Sequence, residues 1–288
     1  MLINLREILE VAEKYDFTVG AFNVTESSML RAVVETAEKN KAPAIIAAAT
    51  NEFEFAGSEF YQYAVKRLTN SKIPFVLHLD HGHSFEDCVK AVRAGFTSVM
   101  IDGSKLPYED NIALTSRVVE LAHAVNISVE AEIGTIGANS GSEEDYGVEG
   151  ICYTDPKDVV DFTGRTGIDA LAIAIGTAHG QYPKGYIPHL QLNLIESIRA
   201  LTKIPLVLHG GSNNPDEEIE KGCRLGLRKV NISSDFKVSY YRAVQQYLND
   251  TNDFFPAKIL PHGMREVERV VARKMELFHC IGAADYYR

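Results

Sequence analysis

Eight short apolar runs, separated by amphipathic stretches, constrain this sequence more than any other feature. They are Phe17–Phe22, Ala44–Ala49, Phe75–Asp80, Ser98–Asp102, Ser128–Gly134, Ala170–Gly176, Pro205–Gly210 and Lys229–Ser234. Most lack strict polar alternation, the pattern of parallel strands buried on both faces. Between them, Glu26–Lys39, Ser84–Ala94, Glu109–Ala124, Asp158–Thr166, Leu192–Leu201 and Asp216–Leu225 read as amphipathic helices. Thr25, Ser84 and Asp216 look like N-cap or first-turn residues, and Gly95, Gly167 and Gly226 stand where a left-handed C-cap is wanted. Strand–helix alternation repeated eight times predicts one α/β domain over residues 1–288: a single (β/α)₈ TIM barrel with additional C-terminal helices in Tyr240–Arg288. A doubly wound open sheet is the alternative architecture.

On this scaffold the polar residues gather at one rim. Asp80, His81, Asp102, Glu132, His179, His209 and Asn231–Ser234 all fall at or near the C-terminal ends of strands three to eight. That is the end where barrels of this kind build their sites, with phosphate held by the loops after strands seven and eight. Those loops here are Gly210-Gly211-Ser212 and Asn231-Ile232-Ser233-Ser234, whose small residues let backbone approach an anion. Three imidazoles, from His81, His179 and His209, with one open position make a catalytic rather than a structural zinc site.

Other polar residues keep two readings. Asp80 either orients a histidine or moves a proton. His78 shares its inward side and is as well read as a hydrogen-bonded core imidazole; His123, His189, His262 and His279 read as structural. Glu130 and Glu132 alternate on one strand and so face the same way, which suits a cationic site. The Gly-rich, acidic stretch from Gly134 to Gly150 reads as a lid or as a solvated insertion. A lysine projecting from a strand, which covalent imine chemistry requires, is missing from the central runs; Lys229 only opens the last, at the end away from the site.

Charge and cysteines narrow the function classes. With 39 acidic against 29 basic residues, net −10, a nucleic-acid surface is not expected. A phosphorylated metabolite is compatible, because a metal and backbone N–H groups supply a local positive field. Cys88, Cys152, Cys223 and Cys280 show no paired spacing, and no signal peptide is visible, which points to the reducing cytoplasm. No apolar run approaches the ~20 residues needed to span a membrane.

Six segments carry a resemblance: His78-Leu-Asp80-His81-Gly82, Met100-Ile-Asp102-Gly-Ser104, Val129-Glu-Ala-Glu132-Ile-Gly134, Ile175-Gly-Thr-Ala-His179-Gly180, Leu208-His209-Gly-Gly-Ser212 and Lys229-Val-Asn231. From about Asn4 to Phe278 the chain resembles the class II, metal-dependent ketose-bisphosphate aldolases, which include the fructose-1,6-bisphosphate and tagatose-1,6-bisphosphate enzymes. The resemblance implies a lyase of carbohydrate metabolism that cleaves fructose 1,6-bisphosphate to dihydroxyacetone phosphate and glyceraldehyde 3-phosphate. Tagatose 1,6-bisphosphate or another phosphorylated ketose is the alternative substrate. It implies that His81, His179 and His209 bind catalytic Zn²⁺ and that Asp80 transfers the proton at the C4 hydroxyl. Asp102 and Glu132 match positions that hold a second divalent metal or an alternative zinc position, and the family also leaves room for a monovalent cation. Gly180, Gly210, Gly211, Ser212, Asn231, Ile232, Ser233 and Ser234 match contacts to dihydroxyacetone phosphate, with backbone N–H groups of Gly211 and Ser212 as anion donors. Glu143 or Glu144 of the lid is the candidate base at C1, and a homodimer or homotetramer is expected. Two other functions compete: a non-catalytic barrel regulating a partner aldolase, and a zinc hydrolase on the same scaffold. The first is expected to lose its metal ligands, which this chain retains. The second needs an in-line water rather than a phosphate cradle.

Overall fold

A computed structural model of the chain describes residues 1–138, 151–180, 182 and 185–287. Its strands, in chain order, are β1 (Val19–Asn23), β2 (Ala44–Ala49), β3 (Phe75–Gly82), β4 (Ser98–Ile101), β5 (Ser128–Ile133), β6 (Gly137–Ala138), β7 (Ala170–Ile173), β8 (Ala178–His179), β9 (Leu206–Leu208) and β10 (Leu227–Ile232). All except β6 and β8 are staves of one closed barrel, in which β1 pairs in parallel with both β2 and β10. The eight expected runs are these staves, so the open-sheet alternative falls. The short strands β6 and β8 pair with each other beside the barrel.

The helices are α1 (Leu5–Tyr15), α2 (Ser27–Asn40), α3 (Thr50–Ala56), α4 (Ser58–Thr69), α5 (Phe85–Ala94), α6 (Tyr108–His123), α7 (Pro156–Thr166), α8 (Leu192–Arg199), α9 (Asp216–Leu225), α10 (Ser234–Asp250) and α11 (Pro256–Leu277). Ser84 does cap α5, and Gly95, Gly167 and Gly226 do end helices in the left-handed region. The cap of α2 is Glu26 rather than Thr25; its carboxylate accepts from the N–H groups of Ser28 and Met29. Helix α10 leaves β10 directly and is the eighth barrel helix, so the additional C-terminal helix begins at Pro256 rather than Tyr240. Gly263 lets α11 press on α10: a Cβ there would sit 2.5 Å from the Tyr240 ring.

Helix α1 was not among the expected elements. Asn4 caps it reciprocally with Glu7, and Leu5, Ile8, Leu9 and Ala12 form its buried stripe. Bonds from Ile3 N–H to Phe75 O and from Arg6 N–H to Ser128 Oγ tie this segment to the N-terminal ends of β3 and β5. The barrel is thereby covered at the end away from the site. Nearer the site its interior is polar rather than filled by large branched residues. Alanines make the room: Ala47 is the register neighbour of His78, and Ala170 of Glu130.

Candidate active site

The period-2 rule places His78 and Asp80 on one face of β3 and would turn His81 to the other. The backbone breaks that rule. His81 sits at φ +46°, and the pairing of β3 with β4 slips between Leu79 and Gly82. A non-glycine residue in the left-handed region is strained and is found where the surroundings hold it for a purpose. Here the consequence is that adjacent residues Asp80 and His81 both line the cleft. His209 arrives from the residue after β9, and His179 from β8.

The three imidazoles expected to act together do meet. The potential ligand atoms of His81, His179 and His209 lie within 4.8 Å of one another, as do those of His81, Asp102 and Glu132. His81 Nδ1 is 2.9 Å from Asp102 Oδ2, and His209 Nε2 is 2.8 Å from Glu130 Oε1. Ionised carboxylates only accept, so both histidines donate from those nitrogens. Their other nitrogens, His81 Nε2 and His209 Nδ1, then face each other at 2.7 Å. Two lone pairs cannot share that space without a cation or a proton between them. The carboxylates around His81 favour positive charge there. Burial alone would lower the His81 pKa, but Asp80 and Asp102, with Glu132, push it up to about 10. Burial, then the charge on His81, lowers that of His209. Burial likewise opposes ionisation of Asp80 and Asp102. Yet His81 and His209 hold Asp80 well below the usual carboxylate range, and His81 does the same for Asp102.

Asp80 is held from both sides. Asn23 Nδ2 donates to its Oδ2 and Asn231 Nδ2 to its Oδ1, each at 2.9 Å. Asn23 was not among the expected site residues. The available signal was its place at the C-terminal end of the first stave, where a polar side chain closes an apolar run. Asn231, expected among the phosphate contacts, lines the cleft and donates its amide N–H to Asp80. Lys237 and Glu52, paired with each other at the cleft wall, were also missed because they lie on helices α10 and α3.

The cleft has a volume of about 690 Å³ and is lined by Gly180, Gly210, Ser212, Asn231, Ser233 and Ser234 among the expected phosphate residues. Gly211 and Ile232 are not on that lining. The Gly211 N–H is taken by Asn231 O at 3.0 Å, and a Cβ at Gly211 would meet Val230 Cγ1 at 2.5 Å. Gly211 therefore serves close packing of β9 on β10, not anion donation, and Ile232 is a buried core residue. Gly210 adopts φ +62° against Ala178 O, and Ser212 Oγ accepts from the N–H groups of Ser233 and Asp235. These loops converge on the N-terminus of α10, where the helix dipole favours an anion. Glu143 and Glu144, with residues 139–150 of the expected lid, lie outside the described residues.

Lys229 corrects a further expectation. It is wholly buried and projects into the barrel, where its ammonium meets Glu130 at 2.9 Å. It is thus engaged by a carboxylate beneath the histidines rather than remote from them. His78 is also wholly buried; burial, then Lys229, lowers its pKa to about 3, and Ser98 Oγ lies 2.8 Å from its Nδ1. The core-imidazole reading fits it.

Comparison with known proteins gives the same outline. The family model for "Fructose-bisphosphate aldolase class-II" matches residues 3–283. A fructose-bisphosphate aldolase of Geobacillus stearothermophilus is 41% identical over 288 residues, covering 98% of this chain and 99% of that one. A probable fructose-bisphosphate aldolase of Bacillus subtilis is 40% identical over 282 residues, covering 96% and 97%. Among solved structures, the YdjI aldolase of Escherichia coli superposes with a TM-score of 0.87 at 31% identity, covering 99% of this chain and 100% of that one.

Proposed function

This chain belongs to the class II fructose-bisphosphate aldolase family, metal-dependent carbon–carbon lyases, and from that premise we propose how its own residues perform the reaction. It is an aldolase, and its reaction is the reversible cleavage of fructose 1,6-bisphosphate to dihydroxyacetone phosphate and glyceraldehyde 3-phosphate. The observation that carries the assignment of roles is the convergence of His81, His179 and His209, two of them fixed by carboxylates so that a lone pair faces the shared space. That donor set suits Zn²⁺, which takes three protein ligands and one open position in catalytic sites. When bound, the metal supplies Lewis acidity to the ketone and hydroxyl oxygens beside the developing carbanion. Asp102 and Glu132 offer a second or alternative position around His81.

Asp80 performs the proton transfer. As the bond between C3 and C4 breaks, its carboxylate takes the C4-hydroxyl proton, and in condensation it returns it. Asn23 and Asn231 hold both oxygens in place for that task. Dihydroxyacetone phosphate places its phosphate against Gly180, Gly210, Ser212, Ser233 and Ser234, at the start of α10. Glu143 or Glu144 is the proposed base that exchanges the C1 proton of dihydroxyacetone phosphate. The reducing cytoplasm is the proposed location, supported by four free cysteines. Among the described residues no helix is long and apolar enough to cross a membrane. Assembly as a homodimer or homotetramer is supported by apolar surface at the junction of α10 and α11, where Phe254 is 76% exposed.

The test is a coupled assay of fructose 1,6-bisphosphate cleavage with and without chelator. Activity is expected to vanish on chelation and return with Zn²⁺, and borohydride with substrate should trap no adduct. Full activity in excess chelator, with a lysine adduct, would reverse the mechanism.

A further inference from the structure

Beneath the three imidazoles lies an ionic cluster whose lysine has no part in the roles above. Lys229 Nζ stands 2.9 Å from each oxygen of Glu130, and Glu130 Oε1 is also the partner of His209 Nε2 at 2.8 Å. The side chains of Lys229, Glu130 and His209 have no solvent exposure at all. A buried ion pair of this kind is a poor route to stability, since well-packed apolar residues of similar volume often serve as well or better. Its position on a candidate metal ligand suggests a different use.

The direction of the hydrogen bonds supplies it. Ammonium has three donors and no acceptor, so Lys229 leaves Glu130 only the accepting role. A carboxylate so fixed must receive N–H from His209 Nε2, which commits the lone pair of that ring to Nδ1, the nitrogen facing His81 at 2.7 Å. Without Lys229, the Glu130 carboxylate loses the ammonium that orients it to receive N–H from His209 Nε2. The imidazole could then reverse its tautomer and present N–H to the metal position.

We infer that Lys229, acting through Glu130, is a positioning residue that fixes the tautomer of His209 and thereby the affinity of the site for its metal. The inference rests on His209 being a metal ligand. Partners that orient a ligating histidine typically account for about 10–100-fold in metal affinity.

The experiment measures Zn²⁺ affinity of the full-length protein by competition with a chromophoric chelator. Wild type, Lys229→Met, Glu130→Gln and the double variant are compared, with thermal unfolding followed in parallel. Each single variant is expected to bind Zn²⁺ about 10–100-fold more weakly, and the double variant no more weakly than the worse single, because the pair acts as one unit. A folded Lys229→Met protein with wild-type Zn²⁺ affinity would overturn the inference. Nitrogen-15 spectra of histidine-labelled, metal-free wild type give a check that needs no variant: His209 should carry its proton on Nε2, and finding it on Nδ1 alone would also overturn the role of Lys229. His209→Ala separates the two levels. Wild-type affinity in that variant removes His209 from the ligands, whereas weakened affinity there with none in Lys229→Met removes only the role of Lys229.

Discussion

Asn23→Ala is the sharpest probe of how the site holds its acid–base group. Asn23 Nδ2 donates 2.9 Å to Asp80 Oδ2 and 3.2 Å to Glu52 Oε2, while the other Asp80 oxygen keeps its bond from Asn231. Removing Asn23 therefore takes away one of two clamps and leaves the metal ligands untouched. A hydrogen bond to a charged group contributes about 1.5–3 kcal/mol. If that is felt at the transition state, kcat/KM for cleavage falls about 10–150-fold. Zinc content should stay at wild-type level, because the Asn23 amide donates to Asp80 and Glu52 rather than to a candidate ligand. Exchange of the C1 proton of dihydroxyacetone phosphate should be spared, since that step does not involve the C4 hydroxyl. Asn23→Asp should be worse than alanine, because it sets a like charge against Asp80. The assay pairs enzyme-coupled cleavage with deuterium exchange followed by NMR. Wild-type cleavage in a folded, zinc-replete Asn23→Ala protein would refute the reasoning, and so would equal loss of cleavage and exchange.

Other outcomes follow from the same geometry. Asp80→Ala should cut cleavage about 10²–10⁴-fold while zinc content and C1 exchange survive better; an equal loss of both activities would give Asp80 a structural role. Gly211→Ala should act on stability before phosphate binding, because the new Cβ would meet Val230 at 2.5 Å and Asn231 O at 2.8 Å. Overpacking of this kind costs about 1–3 kcal/mol, so a lower midpoint of thermal unfolding is expected, and an unchanged midpoint with weaker substrate binding would return Gly211 to the anion cradle. Thiol titration at mildly alkaline pH should modify Cys152 rapidly and the others only after denaturation. Burial pushes the Cys88 and Cys280 thiols up to about 12 and Cys223 up to about 11, whereas Cys152 is exposed. More than one fast thiol in the native protein would contradict the buried placement.

The sequence by itself determined the barrel. Apolar runs of strand length alternating with amphipathic stretches have few ways to bury both faces of every strand, and closure with helices outside is one of them. It also determined at which rim the polar side chains gather, because a polar residue that ends an apolar run must leave the barrel wall there. His81, His179, His209, Asp80, Asp102 and Glu132 were legible on that ground. The tertiary structure alone decided how they face one another. The left-handed backbone at His81 overrides strand alternation, and no pattern of residue types announces it. Asn23 and Asn231 reach Asp80 from strands 57 and 151 residues away in sequence, and closure of the ring is what makes β1 and β10 neighbours. Gly211 looked like part of an anion cradle because glycine permits either role; only the neighbouring Val230 and Asn231 show that its missing side chain serves packing. Lys229 looked remote because its Cα lies low on the strand. Its long side chain climbs inside the barrel to Glu130, a distance that sequence order cannot measure.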